Sequence, residues 1–552
     1  MKDKVQLEIS RIIHGYVNIL PINSTSSASL SCHNNIACFQ AWDDESDAVA
    51  KLIMGTGLCS GSLQNNTAND YRAFLLTAFH CVDSDHDGDY DGNDYNVDDY
   101  VFHFHYKSPT CVGTSASYIE YNSSSYRAGW SNSDFALIEV DDSPVGNGNI
   151  AFLGWENRAN TPTSGVCIHH PAGDIMKISF DNNSLTTNNH IIDWDFGPDS
   201  PALTHWVSTL DSGTTEGGSS GGPLFDQNSR VVGQVHGGFN SCPPVTKYFG
   251  RFDVSWNGNS TTTTQLAHWL DPNNTQDPTT DLLRSPSLVV PDVICYSGNT
   301  VSILNPPGVT ITWDGTNVTY PYGNTGTSVF VRATNSTTSA NGTVTASFSV
   351  NGISRTITHP VWAGKPQIYS YGSHIVDVNT GMPVYDLCYG THNDVEAVHP
   401  AGDASITDWD WQVSYGQVYP YGMLDQYATI YPYDYQSFML EIRACNTCGY
   451  TDWKHMYINV ENCGLYLLVF TPNPTSGETT LSIESESNEK TFDETAEWEL
   501  EIYDNAQMLK EKKTKLKGNN TKIQTAGWKE GMYVVRVKYK NQILTGKLVV
   551  KK

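Results

Sequence analysis

T-E-G-G-S-S-G-G-P at residues 215–223 sets two serines between two glycine pairs and closes on a proline. A Gly/Ser-rich run is ordinarily a loop, so the stretch gains meaning only from residues elsewhere in the chain. A serine hydroxyl becomes a nucleophile when a base takes its proton and a third group holds that base in the right tautomer. Two distant segments offer such groups. In F-L-L-T-A-F-H-C at 74–81, His80 ends an apolar run beside Cys81; in S-N-S-D-F-A-L-I-E-V at 131–140, Asp134 opens another. A carboxylate at the lip of a core strand can be buried against a histidine, whereas Asp141 and Asp142 read as solvated. Between the two serines, Ser220 is favoured: Gly218 lies two positions before it, so the N–H groups of Gly218 and Ser220 can converge on a developing oxyanion. Ser219 as nucleophile would put those donors out of pattern.

The surroundings of these segments are all-β. Short apolar runs, 73–77, 100–106, 135–140 and 230–236, alternate with Gly/Asn/Ser/Thr-rich turns between residues 28 and 272, the pattern of a sandwich or barrel rather than of alternating strands and helices. Proline-marked stops at 271–272 and 277–278 bound a linker over 273–289. Two-residue periodicity returns in 290–366 and again in 367–465, each sized for a β-sandwich module, and strand patterns recur in a final segment, 466–552. Chain order adds a constraint. His80, Asp134 and then Ser220 is the order of chymotrypsin-like enzymes and differs from that of subtilisins and α/β-hydrolases.

Length and charge narrow the function classes. At 552 residues the chain is too long for one core. A net charge of -27 disfavours a nucleic-acid backbone as partner. No apolar run reaches the length of a membrane-spanning helix. The acidity is uneven: residues 466–552 hold 14 basic and 12 acidic residues, against 18 basic and 47 acidic before them. The first residues lack a signal peptide's apolar core, and residues 1–27 are expected to be the remnant of a leader or propeptide whose export signal lies upstream. Cys32, Cys38, Cys59, Cys81, Cys111 and Cys242 fall in the first 242 residues, with Cys167 as a seventh, which fits a disulfide-permissive compartment.

Several segments together carry a family resemblance: the Cys32/Cys38 spacing, N-N-T-A-N-D-Y-R-A-F-L-L-T-A-F-H-C at 65–81, S-D-F-A-L-I-E at 133–139, I-H-H-P-A-G-D at 168–174, the 215–223 stretch and V-V-G-Q-V-H-G-G at 231–238. Residues 28–272 resemble the lysyl endopeptidase branch of the chymotrypsin-like serine proteases. The resemblance implies two packed β-barrels, a triad of His80, Asp134 and Ser220, an oxyanion hole from Gly218 and Ser220, and disulfides Cys32–Cys242, Cys38–Cys111 and Cys59–Cys81. It implies a substrate pocket drawn from Thr214, Trp194, His236, Gly237 and Lys247, protein or peptide substrates, and no required cofactor. Ser219 stands where trypsin carries the aspartate that captures a new N-terminus, so that ion-pair switch is expected to be absent.

The chain departs from the lysine-specific relatives in T-K-Y-F-G-R-F at 246–252. There Lys247 replaces the aspartate at the base of the pocket, and a buried ammonium would repel a substrate Lys or Arg. Lys247 together with a cationic His236 would favour an acidic P1 residue. The competing expectation is that Lys247 snorkels to solvent and leaves the pocket merely polar.

The modules at 290–366 and 367–465 resemble immunoglobulin-like or PKD-like units of secreted bacterial hydrolases. The segments P-N-P-T-S-G at 472–477, W-E-L-E-I-Y-D at 498–504 and E-G-M-Y-V-V-R-V at 530–537 resemble the type IX secretion C-terminal sorting domain of Bacteroidetes. This implies the type IX machinery as a partner and a secreted or outer-membrane-attached location. The rival reading is a catalytically silent surface protein that binds protein or carbohydrate through its β modules.

The loop D-S-D-H-D-G-D-Y-D-G-N-D at 83–94 nearly satisfies a twelve-residue calcium loop, with Asp83, Asp85, Asp87, Asp91 and Asp94 at ligand positions and Gly88 at the sixth. It lacks the closing Glu and the flanking helices, so a solvated acidic loop is expected. His103 and His105 share a strand face and His169 and His170 point oppositely, but no further ligands complete a zinc site around them. Cys167, Cys295, Cys388, Cys445, Cys448 and Cys463 have no partners assignable from sequence.

Overall fold

The computed structural model describes residues 29–552 apart from 115, 369–373, 390–391, 400–404, 462–465, 486–491, 505–507, 541 and 552. The leader remnant at 1–27 and Cys463 lie outside the described residues. The molecule is almost entirely β, in two compact units that divide after Gly364.

Two curled antiparallel sheets dominate the first unit. One runs in the order Ser117–Asn122, Val101–Lys107, Val49–Met54, Gly57–Leu63, Phe74–Ala78, Phe135–Val140, Ser124–Trp130. The other runs Asn34–Asn35, Lys177–Asp181, Gly165–His169, Pro223–Phe225, Val231–Gly238, Val245–Arg251, His205–Leu210, Thr186–Thr187. Their central strands, such as Phe74–Ala78 and Gly165–His169, are buried at every position, which is why they read as continuous apolar runs rather than alternating ones. Together they form the expected double barrel.

Three disulfides tie this region: Cys32–Cys242, Cys38–Cys111 and Cys59–Cys81. Cys295, Cys388 and Cys448 are also disulfide-bonded, while Cys167 is a buried thiol and Cys445 a partly exposed one.

The stretch expected as a linker, 273–289, is instead pinned to the barrels. Leu283–Arg284 pairs antiparallel with Ala151–Phe152, the Arg284 guanidinium bonds Asp47 at 3.0 Å and also Asp44, and Ser285 is fully buried. Its polar sequence conceals the pairing because only two residues enter the ladder. Next come two facing four-stranded sheets built from residues 287–364, with Trp313 and Val344 wholly buried between them. This sandwich packs on the barrels: Tyr71 meets Phe348 edge-on, and the Arg355 guanidinium donates to the Asp70 carbonyl at 2.9 Å.

In the second unit, strands over 375–461 form two sheets around Trp409, Ile430, Leu440 and Ile442. Strands over 466–550 form two further sheets around Leu481, Trp498, Leu500 and Val535. The strict in–out alternation of Gly531–Tyr539 is that of a sheet with one face in the core and one in water.

Candidate active site

His80 and Asp134 reach one another because their strands are neighbours. Phe74–Ala78 pairs with Phe135–Val140 so that Ala78 faces Phe135, and the short turns Phe79–Cys81 and Ser131–Ser133 adjoin the same end of that pair. Asp134 adopts a left-handed conformation, φ +52°, and is buried. Its Oδ1 accepts the His80 backbone N–H at 3.0 Å, and both carboxylate oxygens lie 3.0 Å from His80 Nδ1. Its carbonyl is held by the Phe79 N–H and by Gln234 Nε2, each at 2.9 Å. The Nδ1 proton therefore points at the carboxylate, leaving Nε2 as the basic atom. Burial pulls the His80 pKa down, but the charge and hydrogen bond of Asp134 outweigh it and raise the ring above its ordinary value.

The two serines have different environments. Ser219 is fully buried; its Oγ lies 2.7 Å from His169 Nδ1 and accepts the Glu216 N–H at 3.0 Å. The direction of the first bond can be worked out. Ser179 Oγ donates to the Thr214 carbonyl at 2.9 Å, so its contact with His169 Nε2 at 3.2 Å is received from an N–H. Burial lowers the His169 pKa well below its ordinary value, so the ring is neutral, Nδ1 is the acceptor and the Ser219 hydroxyl donates its hydrogen bond to it. By contrast, among the described residues the Ser220 hydroxyl has no hydrogen-bond partner, and the Gly218 and Ser220 amides donate to no other group.

The turn itself is stitched to the other sheet. Ser60 N–H donates to the Ser220 carbonyl and Ser60 Oγ to the Gly218 carbonyl, both at 2.8 Å, while Cys59–Cys81 fastens the Ser60 strand to the His80 turn. Gly218 has φ +88°, and a Cβ on Gly221 would fall 2.3 Å from the Ser60 carbonyl oxygen, so both positions require glycine. Residues near Cys32 brace the same turn: the Leu30 N–H at 3.0 Å and His33 Nε2 at 3.1 Å hold one carboxylate oxygen of Glu216.

Beside His80 opens a cavity of about 930 Å³ lined by Trp194, His236 and Gly237 among others. The Trp194 and His236 rings stack with centroids 3.8 Å apart. Behind His236 runs a proton-ordered chain. Thr204 Oγ1 donates to the Pro201 carbonyl at 2.7 Å and therefore accepts from His205 Nδ1 at 2.8 Å; His205 Nε2 in turn accepts from His236 Nδ1 at 2.9 Å. The same Nδ1 stands 3.5 Å from Asp134 Oδ2. Burial, reinforced by the neighbouring rings, lowers the His236 pKa well below its ordinary value, and burial holds His205 at about 3. The expected cationic His236 is thus corrected: the ring is neutral, because an imidazolium there would be desolvated and face two other imidazoles. By donor type His80, Asp134 and His236 would also suit a metal, but both Nδ1 atoms already face hydrogen-bond acceptors.

Lys247 and Thr214 are fully buried and do not line that cavity. The snorkelling expectation fails: Lys247 Nζ points inward and donates to the Phe239 carbonyl at 2.6 Å and to the Thr215 carbonyl, joining the turn before Ser220 to the strand end after His236. Burial lowers its pKa to about 8. The alternation in V-T-K-Y-F already carried this signal, since Lys247 shares a strand face with the buried Val245 and Phe249. His205, by contrast, was not singled out from sequence, and His169 was weighed only as a metal ligand, because the contacts that give them their roles come from distant segments.

Residues 26–250 match the family described as lysyl endopeptidase, C-terminal domain, and residues 469–551 the secretion system C-terminal sorting domain. A lysyl endopeptidase of Pseudomonas aeruginosa is 27% identical over 257 residues, 41% of this chain and 50% of that protein. The chain thus spans about half the length of the curated relative it matches. Among solved structures, a Glu endopeptidase is 17% identical with a TM-score of 0.25, over 37% of this chain and 85% of that one. The secreted serine protease VesC from Vibrio cholerae is 11% identical with a TM-score of 0.26, over 92% of this chain and 98% of that one. The chain therefore holds a domain similar to the lysyl endopeptidase C-terminal domain and, after it, a secretion system C-terminal sorting domain. The latter marks a bacterial protein that is secreted or attached to the surface. Among the described residues no helix is long and apolar enough to cross a membrane.

Proposed function

We propose that the chain is a serine endopeptidase that works through an acyl-enzyme on Ser220 and leaves the cell by the type IX machinery that reads its C-terminal domain. The observation that carries the reading is the contrast between the serines: the Ser219 hydroxyl donates to His169, whereas the Ser220 hydroxyl and the Gly218 and Ser220 amides are uncommitted in a turn that Ser60 and the Cys59–Cys81 disulfide connect to the His80 turn. In this mechanism Ser220 Oγ attacks the scissile carbonyl as its proton passes to His80 Nε2. The carboxylate of Asp134 stabilises the imidazolium, and the Gly218 and Ser220 amides receive the oxyanion. Collapse of the tetrahedral intermediate transfers the proton to the leaving amine; water then repeats the sequence on the acyl-enzyme.

For the P1 side chain, Lys247 is the group that sets the sign of the pocket, since His236 is neutral and the cavity-lining Asp193 and Asp195 are exposed to water that screens them, whereas Lys247 is buried. Its ammonium, one hydrogen bond from the cavity-lining Phe239, favours an acidic over a basic P1 residue. A phosphonate probe directed at serine nucleophiles tests the enzyme reading. Modification of Ser220, lost in Ser220→Ala, is expected. An oxidised, processed protein that takes up no label would instead be the inert binding protein, with its β modules as the functional part.

A further inference from the structure

The acidic loop after Cys81 differs from the solvated expectation at its first residue. Asp83 is 1% exposed. Its Oδ2 accepts the Gly88 N–H at 2.9 Å, but its Oδ1 is buried with no hydrogen-bond partner. A carboxylate oxygen removed from water and left without a donor is unfavourable, and buried polar atoms in native proteins are nearly always satisfied. Its neighbours add to the cost: Asp85 and Asp87 each bring a carboxylate oxygen within 4.8 Å of one another and of a carboxylate oxygen of Asp83. Three acids at that spacing repel, and a cation is what would reverse the sign of the interaction.

The backbone is already wound for this. Asp85 Oδ1 accepts the Asp87 N–H at 3.3 Å and Asp87 Oδ1 the Asp89 N–H at 2.9 Å, which bends the chain so that alternate acids face one side. Asp94 closes the loop, taking the Ser84 N–H on Oδ1 at 2.6 Å and the Asp91 N–H on Oδ2 at 2.8 Å. The five-acid set read from sequence is thereby divided: Asp83, Asp85 and Asp87 converge, while Asp91 and Asp94 act in closing the loop and are not in the cluster.

We propose that Asp83, Asp85 and Asp87 bind one divalent cation of the calcium class, with the orphaned Oδ1 of Asp83 as the buried ligand and water completing the shell. The all-oxygen donor set, on an irregular loop without imidazole or thiolate, is that of a hard ion with flexible coordination rather than of zinc. The site has a structural consequence. His86, inside the same loop, lines the cavity beside His80 and sits against Phe196 with ring centroids 6.3 Å apart; a Cβ on Gly88 would come 2.7 Å from Pro198. Fixing the loop therefore fixes one wall of the cavity.

The test is calcium titration of the full chain, followed by calorimetry, by terbium luminescence sensitised from Tyr90 within the loop, and by melting temperature in calcium against a chelator. Saturable binding of one equivalent in the micromolar to millimolar range and a melting point several degrees higher with calcium are expected. Asp85→Asn and Asp87→Asn, both at exposed positions that leave the fold intact, should each weaken binding about tenfold or more. The absence of saturable binding up to about 10 mM calcium would overturn the proposal, as would unchanged affinity in the double variant. None of these readouts depends on peptide hydrolysis, so the ion site and the endopeptidase reading stand or fall separately.

Discussion

The Ser219 hydroxyl lies 2.7 Å from the Nδ1 of the wholly buried His169, and this bond gives two adjacent serines different surroundings. It uses the Ser219 proton to brace the turn, in a chain that runs on through His169 Nε2 and Ser179 to the Thr214 carbonyl. Ser220 is the next residue, and its hydroxyl is free of any such duty.

Two alanine substitutions should therefore fail in opposite ways. Ser220→Ala should abolish hydrolysis while leaving the melting temperature within a degree or two. Ser219→Ala strands His169 Nδ1 and the Glu216 N–H in a dry site, and is expected to cost about 1–3 kcal/mol of stability while retaining probe labelling at Ser220. Melting curves and labelling of the two variants check this. A stable but unlabelled Ser219→Ala protein would reverse the assignment.

The pH dependence of kcat/KM should report His80. Because Asp134 raises the ring above its ordinary value despite burial, the acid limb of the profile is expected above pH 6.5, with activity lost as His80 is protonated below it. Asp134→Asn removes the raising influence and leaves burial, so the limb should move down in pH while the rate falls about 10³- to 10⁴-fold. A variant whose limb stays in place would show that another group titrates.

Stability should depend on pH through different histidines. Burial holds His170 and His205 at about 3 and keeps His169 and His236 well below their ordinary values. An unfolded chain takes up protons at these positions below about pH 6.5 that the folded chain refuses, so each contributes stability that is present above that pH and declines toward pH 3, by about 1.4 kcal/mol per pH unit. His80 works the other way, but it is a single group. Melting temperatures should fall steeply from pH 7 to pH 5, and a flat curve would contradict the buried neutral rings.

What the sequence disclosed and what it withheld follow from the range of the interactions. The meeting of His80 and Asp134 was legible because each sits where an apolar strand meets a turn, and the order His80, Asp134, Ser220 is that of a double barrel. The two middle modules were legible as strands by their alternation. The partners of His236 and Ser219 were not, since His205 reaches His236 past the intervening strand Val245–Arg251 and His169 reaches a turn from a strand 50 residues earlier, contacts that no local pattern encodes. The pinned stretch at 283–284 was missed for the same reason, a two-residue pairing with Ala151–Phe152. Lys247 differs from these: its inward orientation was written in the alternation of its own strand, but expectation about lysine outweighed it.

Deleting residues 469–552 should leave a folded, labelled enzyme, because the residues that hold the candidate site all lie before residue 365. The truncated protein is expected to be retained by its host, with export measured in medium and surface fractions. Normal export without this segment would remove the sorting role.

The sharpest prediction concerns Lys247. Its ammonium satisfies the Thr215 and Phe239 carbonyls, so substitution by Asp would set a carboxylate against two acceptors and confound charge with collapse of the pocket. Lys247→Gln is the cleaner change, since its amide carries two N–H groups for the same two carbonyls and no charge. The wild type should prefer Glu or Asp over Lys or Arg at P1, and in Lys247→Gln that ratio should fall at least tenfold with probe labelling of Ser220 retained. Because burial brings the lysine to about 8, the wild-type preference should also fade as pH rises through that value, and the Gln variant should show no such fade. A P1 library profiled at pH 7 and pH 9 reads both effects. Cleavage after Lys by the wild type would mean that the sign of the pocket is set elsewhere, and Asp193 and Asp195, which line the cavity where Lys247 does not, would be the first carboxylates to replace.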